Sequence, residues 1–71
     1  MGNERIRIVL NGRDREVPPG TTVSGLLREL SLPETRVAVE RNAEIVRKPA
    51  FDATEIGEGD RLEIVTLVGG G

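Results

Sequence analysis

The sequence contains no cysteine and no histidine. These two absences exclude zinc sites built from thiolate or imidazole ligands, and they exclude thiol nucleophiles and imidazole bases. They also leave a chain of 71 residues without disulfides, which often support a small core. A domain of this size has little room for both a packed core and an enclosed catalytic pocket. Carboxylates with a recognisable metal-loop spacing are missing too, so we predict no metal site and no catalytic residue.

Aromatic residues and an excess of basic residues are also missing. Phe51 is the only aromatic residue, and the net charge is −2. Binding of nucleic acid needs a basic surface, and single strands need aromatic rings for stacking, so we predict no nucleic-acid partner. The apolar runs are shorter than a membrane span, and residues 1–6 have neither a signal-peptide core nor a myristoylation signal. We therefore expect a cytoplasmic protein without membrane attachment.

The charge that is present is distributed unevenly. Residues 1–36 carry six basic and five acidic side chains, whereas residues 37–71 carry four and seven. This pattern favours an ordinary solvated surface over a patch that attracts a basic partner. We interpret Asp60 as a turn former, and the neighbouring pair of Glu58 and Asp60 as structural rather than as a general acid and base.

Alternating and helical periods divide the chain into six elements. The alternation of apolar residues in 6–10 predicts a strand, Asn11-Gly12 predicts a tight hairpin turn, and a short returning strand is expected at 15–17. Thr22 caps a predicted helix with apolar positions Val23, Leu26, Leu27 and Leu30, which ends before Pro33. Strands are predicted at 37–41, 45–46 and 61–68, with a turn at 42–44 and an irregular segment at 47–56. Gly25 inside the helix indicates close approach of the helix to the sheet.

This order predicts an α+β fold with one main helix packed on one face of a mixed sheet of four to five strands. The first and last strands are the longest and most apolar, so we expect them at the centre of the sheet, parallel through a right-handed crossover. That arrangement is the β-grasp, or ubiquitin-like, fold. We predict a domain over residues 1–68, followed by a flexible glycine tail over residues 69–71.

The residues that carry chemistry in this interpretation are the last ones of the sequence. Gly69, Gly70 and Gly71 directly follow an apolar β-type run. Because glycine has no Cβ, such a tail adopts backbone angles closed to other residues and threads a channel too narrow for side chains. The tail predicts a reactive glycine carboxylate at Gly71.

Several segments together resemble the ThiS family of sulfur carriers for thiamin biosynthesis. They are the Asn-Gly hairpin, the Thr-Val-x-x-Leu-Leu helix start at 22–27, Val-Glu-Arg-Asn-Ala-Glu-Ile-Val at 39–46 and Gly-Asp-Arg-Leu-Glu-Ile-Val at 59–65, followed by Val-Gly-Gly-Gly at 68–71. The likeness spans nearly the whole chain. The related MoaD-like carriers of molybdopterin synthesis also end in Gly-Gly, but they tend to be longer and to have prolines before the tail.

The resemblance implies a protein co-substrate rather than an enzyme, without a bound cofactor of its own. A ThiF-like adenylyltransferase joins the Gly71 carboxylate to AMP from Mg-ATP, and a sulfur donor, supplied by a cysteine desulfurase or another source, displaces the AMP. The resulting thiocarboxylate delivers sulfide to a ThiG-like thiazole synthase. The absence of cysteine agrees with sulfur carried on the C-terminal carbonyl, because a persulfide carrier needs its own thiol.

The surface beside the last strand is the expected docking face. We place Leu62, Ile64, Thr66 and Val68 toward the helix and Glu63, Val65 and Leu67 outward, and we assign partner binding to Val65, Leu67 and Val68. Alternatively, a loop covers Val65 and Leu67, or they belong to a central strand buried on both faces. The alternative functions are a MoaD-like sulfur carrier, a ubiquitin-like modifier joined to target lysines, and a β-grasp interaction module without tail chemistry.

Overall fold

The computed structural model describes residues 4–67 of the chain. Val68, the three glycines and the predicted boundary between domain and tail therefore lie outside the described residues. Within them, five strands form one sheet in the order β2-β1-β5-β3-β4. The elements are β1 (Ile6–Leu10), β2 (Arg13–Val17), α1 (Val23–Glu29), β3 (Val37–Arg41), β4 (Glu44–Val46) and β5 (Arg61–Thr66), with short 3-10 turns at Glu34–Arg36 and Lys48–Ala50.

The sheet is mixed, as predicted. β1 and β5 are parallel neighbours, and the three remaining strand pairs, β1–β2, β3–β4 and β3–β5, are antiparallel. β5 is the central strand and β1 lies beside it. The described chain thus has the β-grasp architecture that the order of its elements predicts: a mixed five-stranded sheet with a single α-helix.

Both hairpins turn through two residues with positive φ. Asn11 and Gly12 have φ of 50° and 84°, and Asn42 and Ala43 have φ of 53° and 70°. Such turns match the right-handed twist of the strands, so pairing begins at the residue that follows the turn. For this reason β2 begins at Arg13 rather than at residue 15, and β4 begins at Glu44 rather than at residue 45.

The helix begins where the sequence predicts. The Thr22 hydroxyl accepts a hydrogen bond from the Gly25 amide at 3.0 Å and caps the first turn. The amides of Val23 and Ser24 donate to the carbonyls of Thr54 and Phe51 at 2.9 and 3.1 Å. The segment after β4 therefore satisfies N-terminal amides that the helix itself cannot pair.

The core lies between the helix and the sheet. Four of the five strands, all except β4, contribute buried apolar side chains, and the helix contributes three. The buried set is Ile8, Val17, Val23, Leu26, Leu27, Val37, Val39, Phe51, Ile56, Leu62 and Ile64. Phe51 and Ile56 come from the segment predicted as irregular. That segment has no strand or helix period, yet it closes the core beside the helix.

Gly25 does not have the role predicted for it. A Cβ built on Gly25 would lie 3.5 Å from the Thr22 hydroxyl oxygen and 3.6 Å from the Thr21 methyl carbon, which are ordinary contacts. Neither atom belongs to a strand of the sheet. The glycine is therefore not required by close approach of the helix to the sheet, and the prediction is wrong on this point.

Replacing Gly25 with alanine should accordingly stabilise the domain by about 0.5–1 kcal/mol, since glycine is the weaker helix former and its unfolded chain has more freedom. Urea unfolding monitored by circular dichroism measures the change. Gly12→Ala is the matched control, because Gly12 has φ of +84° with open space around it. It should destabilise the domain. A Gly25→Ala variant less stable than the parent would show that the glycine has a structural role after all.

Candidate functional site

The candidate site is the glycine carboxylate at the end of the sequence, and the structure describes the strand that leads to it. β5 lies between β1 and β3, and the Leu67 amide donates to the Arg36 carbonyl at 2.7 Å, one residue beyond the strand. The chain is thus held in the sheet as far as Leu67. Four further residues, when extended, reach only about 13 Å. A partner that acts on Gly71 must therefore contact the body of the domain near the end of β5.

Two asparagines fix the central strand. The Asn11 side chain accepts from the Ile64 amide at 2.8 Å and donates to the Ile64 carbonyl at 3.2 Å. The Asn42 side chain accepts from the Arg61 amide at 2.9 Å. Each asparagine therefore forms a tight turn in its own hairpin and also holds β5 from one side.

These contacts were not predicted from the sequence. The Asn-Gly pair predicts a turn, and the turn alone is enough to explain an asparagine at position 11. The only sequence signal that these asparagines also bind β5 is that asparagine is the first residue of both turns, at positions 11 and 42, although glycine and aspartate also suit such positions.

Asp60 connects the start of β5 to the hairpin of β3 and β4. Its carboxylate accepts hydrogen bonds from Arg41 Nε at 2.8 Å, from Asn42 Nδ2 at 3.1 Å and from the Gly57 amide at 2.7 Å. Burial by itself would raise the pKa of Asp60, but the Gly57 amide and the Arg41 and Asn42 side chains outweigh burial and hold the pKa below its ordinary value of 3.8. The turn role predicted for Asp60 is confirmed by the bond to Gly57.

The carboxylate of Glu58 contacts a different part of the fold from that of Asp60. Glu58 is exposed and its carboxylate accepts from the Arg7 amide at 3.2 Å, whereas Asp60 is buried against Arg41. The two carboxylates thus hold separate parts of the fold together. This agrees with the structural interpretation of the pair.

The outward face of β5 is apolar near its end. Val65 is 57% exposed and Leu67 is 47% exposed, while Leu62 and Ile64 are buried. The predicted orientation of these four residues is confirmed, and within the described part of the chain no loop covers Val65 and Leu67. Their role in partner binding stays a prediction, and Val68, the third residue assigned to it, lies outside the described residues.

Thr66 is paired with the buried Val37, so its side chain lies on the helix side of the sheet, as predicted. It is nevertheless exposed. β1 pairs with β5 only as far as Leu62, so the strand that would flank Thr66 on that side has already ended.

The described residues offer little support for other kinds of site. Within residues 4–67, no group of three or more acidic side chains is arranged to hold a metal ion. In the same range, the single α-helix is too short to cross a membrane.

The fold and the sequence after β5 define a ubiquitin-like β-grasp protein with a glycine extension. A family model described as the ThiS family matches residues 8–71, which include the three glycines. The chain belongs to the ThiS family, and the resemblance seen in the sequence is confirmed.

Individual relatives agree with this assignment. The sulfur carrier protein ThiS of Bacillus subtilis is 41% identical over 63 residues, which cover 87% of this chain and 96% of that protein. The crystal structure of a thiamine biosynthesis protein (ThiS) from Geobacter metallireducens superposes with a TM-score of 0.79 at 33% identity, covering 93% of this chain and all of that one.

A second kind of relative is much longer. A thiazole synthase of Paramagnetospirillum magneticum is 44% identical over 66 residues, which are 93% of this chain and only 20% of that protein. A thiazole synthase of Magnetococcus marinus matches over the same proportions at 39% identity. The chain thus spans about a fifth of the length of these thiazole synthases.

Proposed function

We propose that this chain is a sulfur carrier of thiamine biosynthesis whose Gly71 carboxylate is the reactive group. On an activating enzyme the carboxylate attacks the α-phosphorus of Mg-ATP and releases pyrophosphate, and sulfur delivered at the oxidation level of sulfide then displaces AMP to leave a thiocarboxylate. A thiazole synthase takes up the sulfur, and water supplies the oxygen of the regenerated carboxylate. The observation that carries the proposal is the family match, which extends through the glycines to Gly71.

The described structure supports this role. The amides of Arg61 and Ile64 in the central strand donate to the side chains of Asn42 and Asn11 and so fix the strand, and Val65 and Leu67 are exposed toward its end. An anchored strand presents the tail in a defined direction, and exposed apolar side chains favour contact with a partner. The sequence contains no thiol, so the carbonyl carbon of Gly71 is the atom that accepts sulfur.

The proposed partners follow from the same chemistry. Because the longer relatives are named thiazole synthases, we assign the sulfur acceptor to that class of enzyme. The activating partner is a ThiF-like adenylyltransferase, and the sulfur comes from a cysteine desulfurase or another donor. The chain is a co-substrate of these enzymes rather than an enzyme, it needs no cofactor of its own, and it acts in the cytoplasm.

Mass spectrometry of the intact chain tests the proposal. The chain is purified from cells that also express the activating enzyme and the sulfur source of the same organism. We expect a product heavier by the difference between one sulfur and one oxygen atom, located at Gly71 by fragmentation. An unmodified chain, despite an activating enzyme shown to be competent by ATP–pyrophosphate exchange with its known carrier, would contradict the proposal. An adduct joined to lysines of other proteins would favour the modifier function instead.

A further inference from the structure

Two glutamates lie directly opposite each other on the outward face of the sheet. Glu40 of β3 is paired with Glu63 of β5 in the antiparallel register. Their chain neighbours Val39 and Ile64 are buried, so the alternation of side chains turns both glutamates away from the helix. Side chains paired in this way have Cβ atoms about 5 Å apart. Two negative charges are therefore held close together at the centre of an exposed face.

This arrangement does not stabilise the chain by itself. Like charges directly opposite each other on paired strands are destabilising. The ion pairs among residues 4–67 are Arg15 with Glu29 and Arg41 with Asp60, and neither includes Glu40 or Glu63. Among residues 4–67, neither glutamate thus forms an ion pair that would offset the repulsion between them.

Apolar side chains lie beside the two glutamates toward β4 and toward the end of β5, whereas Arg61, two residues before Glu63, is exposed on the same face. Ile45 of β4 is paired with Glu40 on its other side and is 70% exposed, and Val65 follows two residues after Glu63 and is paired with Ala38. The sheet therefore presents one row across three strands, Ile45–Glu40–Glu63, and beside it a second row, Ala38–Val65. We call these five residues the acidic face.

The acidic face continues into a groove beside β3 and β4. The groove has a volume of about 530 Å³, and its lining includes Ala38, Glu40, Ile45 and Leu67. Arg47 and Lys48 lie on its lining as well, on the segment after β4. The groove thus places two basic side chains beside Glu40, and its lining extends to Leu67 near the end of the described residues.

We propose that the acidic face docks the activating enzyme through an arginine of that enzyme, whose guanidinium bridges Glu40 and Glu63 while apolar side chains around it cover Ile45 and Val65. A guanidinium has five donors in one plane and can serve two carboxylates at once, whereas an ammonium is a point charge. The inference rests on the proposed function. The activating enzyme is the assigned partner because adenylation is the first step in which the unmodified chain is bound.

The reach of the tail supports the location. Val65 belongs to the acidic face and lies three residues before Val68, where the chain leaves the described part. Since four extended residues reach only about 13 Å, an enzyme that holds Gly71 in its active site is brought against the end of β5. Complementary charge on that surface speeds association and fixes the docking orientation.

The test is the double variant Glu40→Gln with Glu63→Gln. In an adenylation assay with the activating enzyme of the same organism, the KM for the carrier should rise about tenfold, as expected for the loss of two exposed ion pairs. The kcat at saturating carrier should not change, because Gly71 and the tail are untouched. Added salt should raise the KM of the parent chain more steeply than that of the variant.

A matched control removes the same charge from the same side of the sheet. Asp14 and Glu16 of β2 alternate with the buried Val17 and therefore also point away from the helix. Asp14→Asn with Glu16→Gln should leave the KM within about twofold of the parent. The melting temperature of the Glu40 and Glu63 variant should equal or exceed that of the parent, which shows that an altered KM does not come from unfolding.

The outcomes separate this inference from the proposed function. If the parent chain is not adenylated at any concentration, the proposed function fails. If the parent is adenylated and both double variants have its KM, the docking inference alone is wrong. It is also wrong if the Glu40 and Glu63 variant weakens binding to the thiazole synthase only. A rescue of Glu63→Arg by an arginine-to-glutamate exchange on the activating enzyme would identify the bridging arginine.

Discussion

Deleting Gly70 and Gly71 should abolish adenylation and leave the domain folded. The reactive carboxylate would then sit on Gly69, about 7 Å short of its place in the active site of the activating enzyme. Displacements of even 1 Å can lower a rate by about a hundredfold, so we expect a loss of at least that size. ATP–pyrophosphate exchange with the activating enzyme measures it.

Folding should not change, because the core and the hydrogen bonds that hold β5 are made within residues 4–67. The melting temperature of the shortened chain should therefore match that of the parent. Addition of one alanine after Gly71 is the complementary control: it keeps every native residue but moves the carboxylate outward and adds a methyl group. Normal adenylation of either variant, without prior trimming, would show that the Gly71 carboxylate is not the reactive group.

Local patterns account for most of the fold. Three features are determined by residues close together in the sequence: the alternation of apolar residues in β1, the Asn-Gly turn and the apolar stripe of α1. Each is observed where the sequence predicts it. The parallel pairing of β1 with β5 was also predictable, because the longest and most apolar strands are expected at the centre of the sheet.

The contacts of individual side chains with residues distant in the sequence were not predictable. The bonds from Asn11 to Ile64 join residues 53 positions apart, and the bond from Arg41 to Asp60 joins residues 19 positions apart. No periodicity encodes which polar side chain faces which backbone group. The pairing of Glu40 with Glu63 has the same origin, because it depends on the register of β3 against β5.

Phe51 and Ile56 illustrate a second limit. Both are buried, yet they lie in a segment without regular secondary structure at either position. A segment that contributes single side chains to the core has no repeating pattern, so sequence periodicity does not reveal it. The segment was correctly predicted as irregular, but its role in closing the core became visible only in three dimensions.

Replacing Asp60 with alanine should destabilise the domain by about 2–3 kcal/mol, because one buried carboxylate accepts three hydrogen bonds, one of them from a guanidinium. The loss stays below that of a fully buried ion pair, since the Arg41 side chain is 37% exposed and can turn into water. For a domain of this size the melting temperature should fall by about 10–20 °C. Glu58→Ala is the matched control. It removes the same charge two residues away, and it should have a smaller effect because Glu58 is exposed and accepts one hydrogen bond, from the Arg7 amide at 3.2 Å.

The dependence on pH distinguishes loss of the carboxylate charge from loss of packing. The hydrogen bonds to Asp60 hold its pKa below the ordinary value of 3.8, so the unfolded chain binds the proton more tightly than the folded one. The stabilisation by Asp60 is therefore complete above about pH 4–5 and is lost as the pH falls through the lowered folded pKa. The difference in unfolding free energy between the parent and Asp60→Ala should be constant near neutral pH and should shrink in acid. A difference that stays constant down to pH 2 would show that the charge of Asp60 contributes nothing.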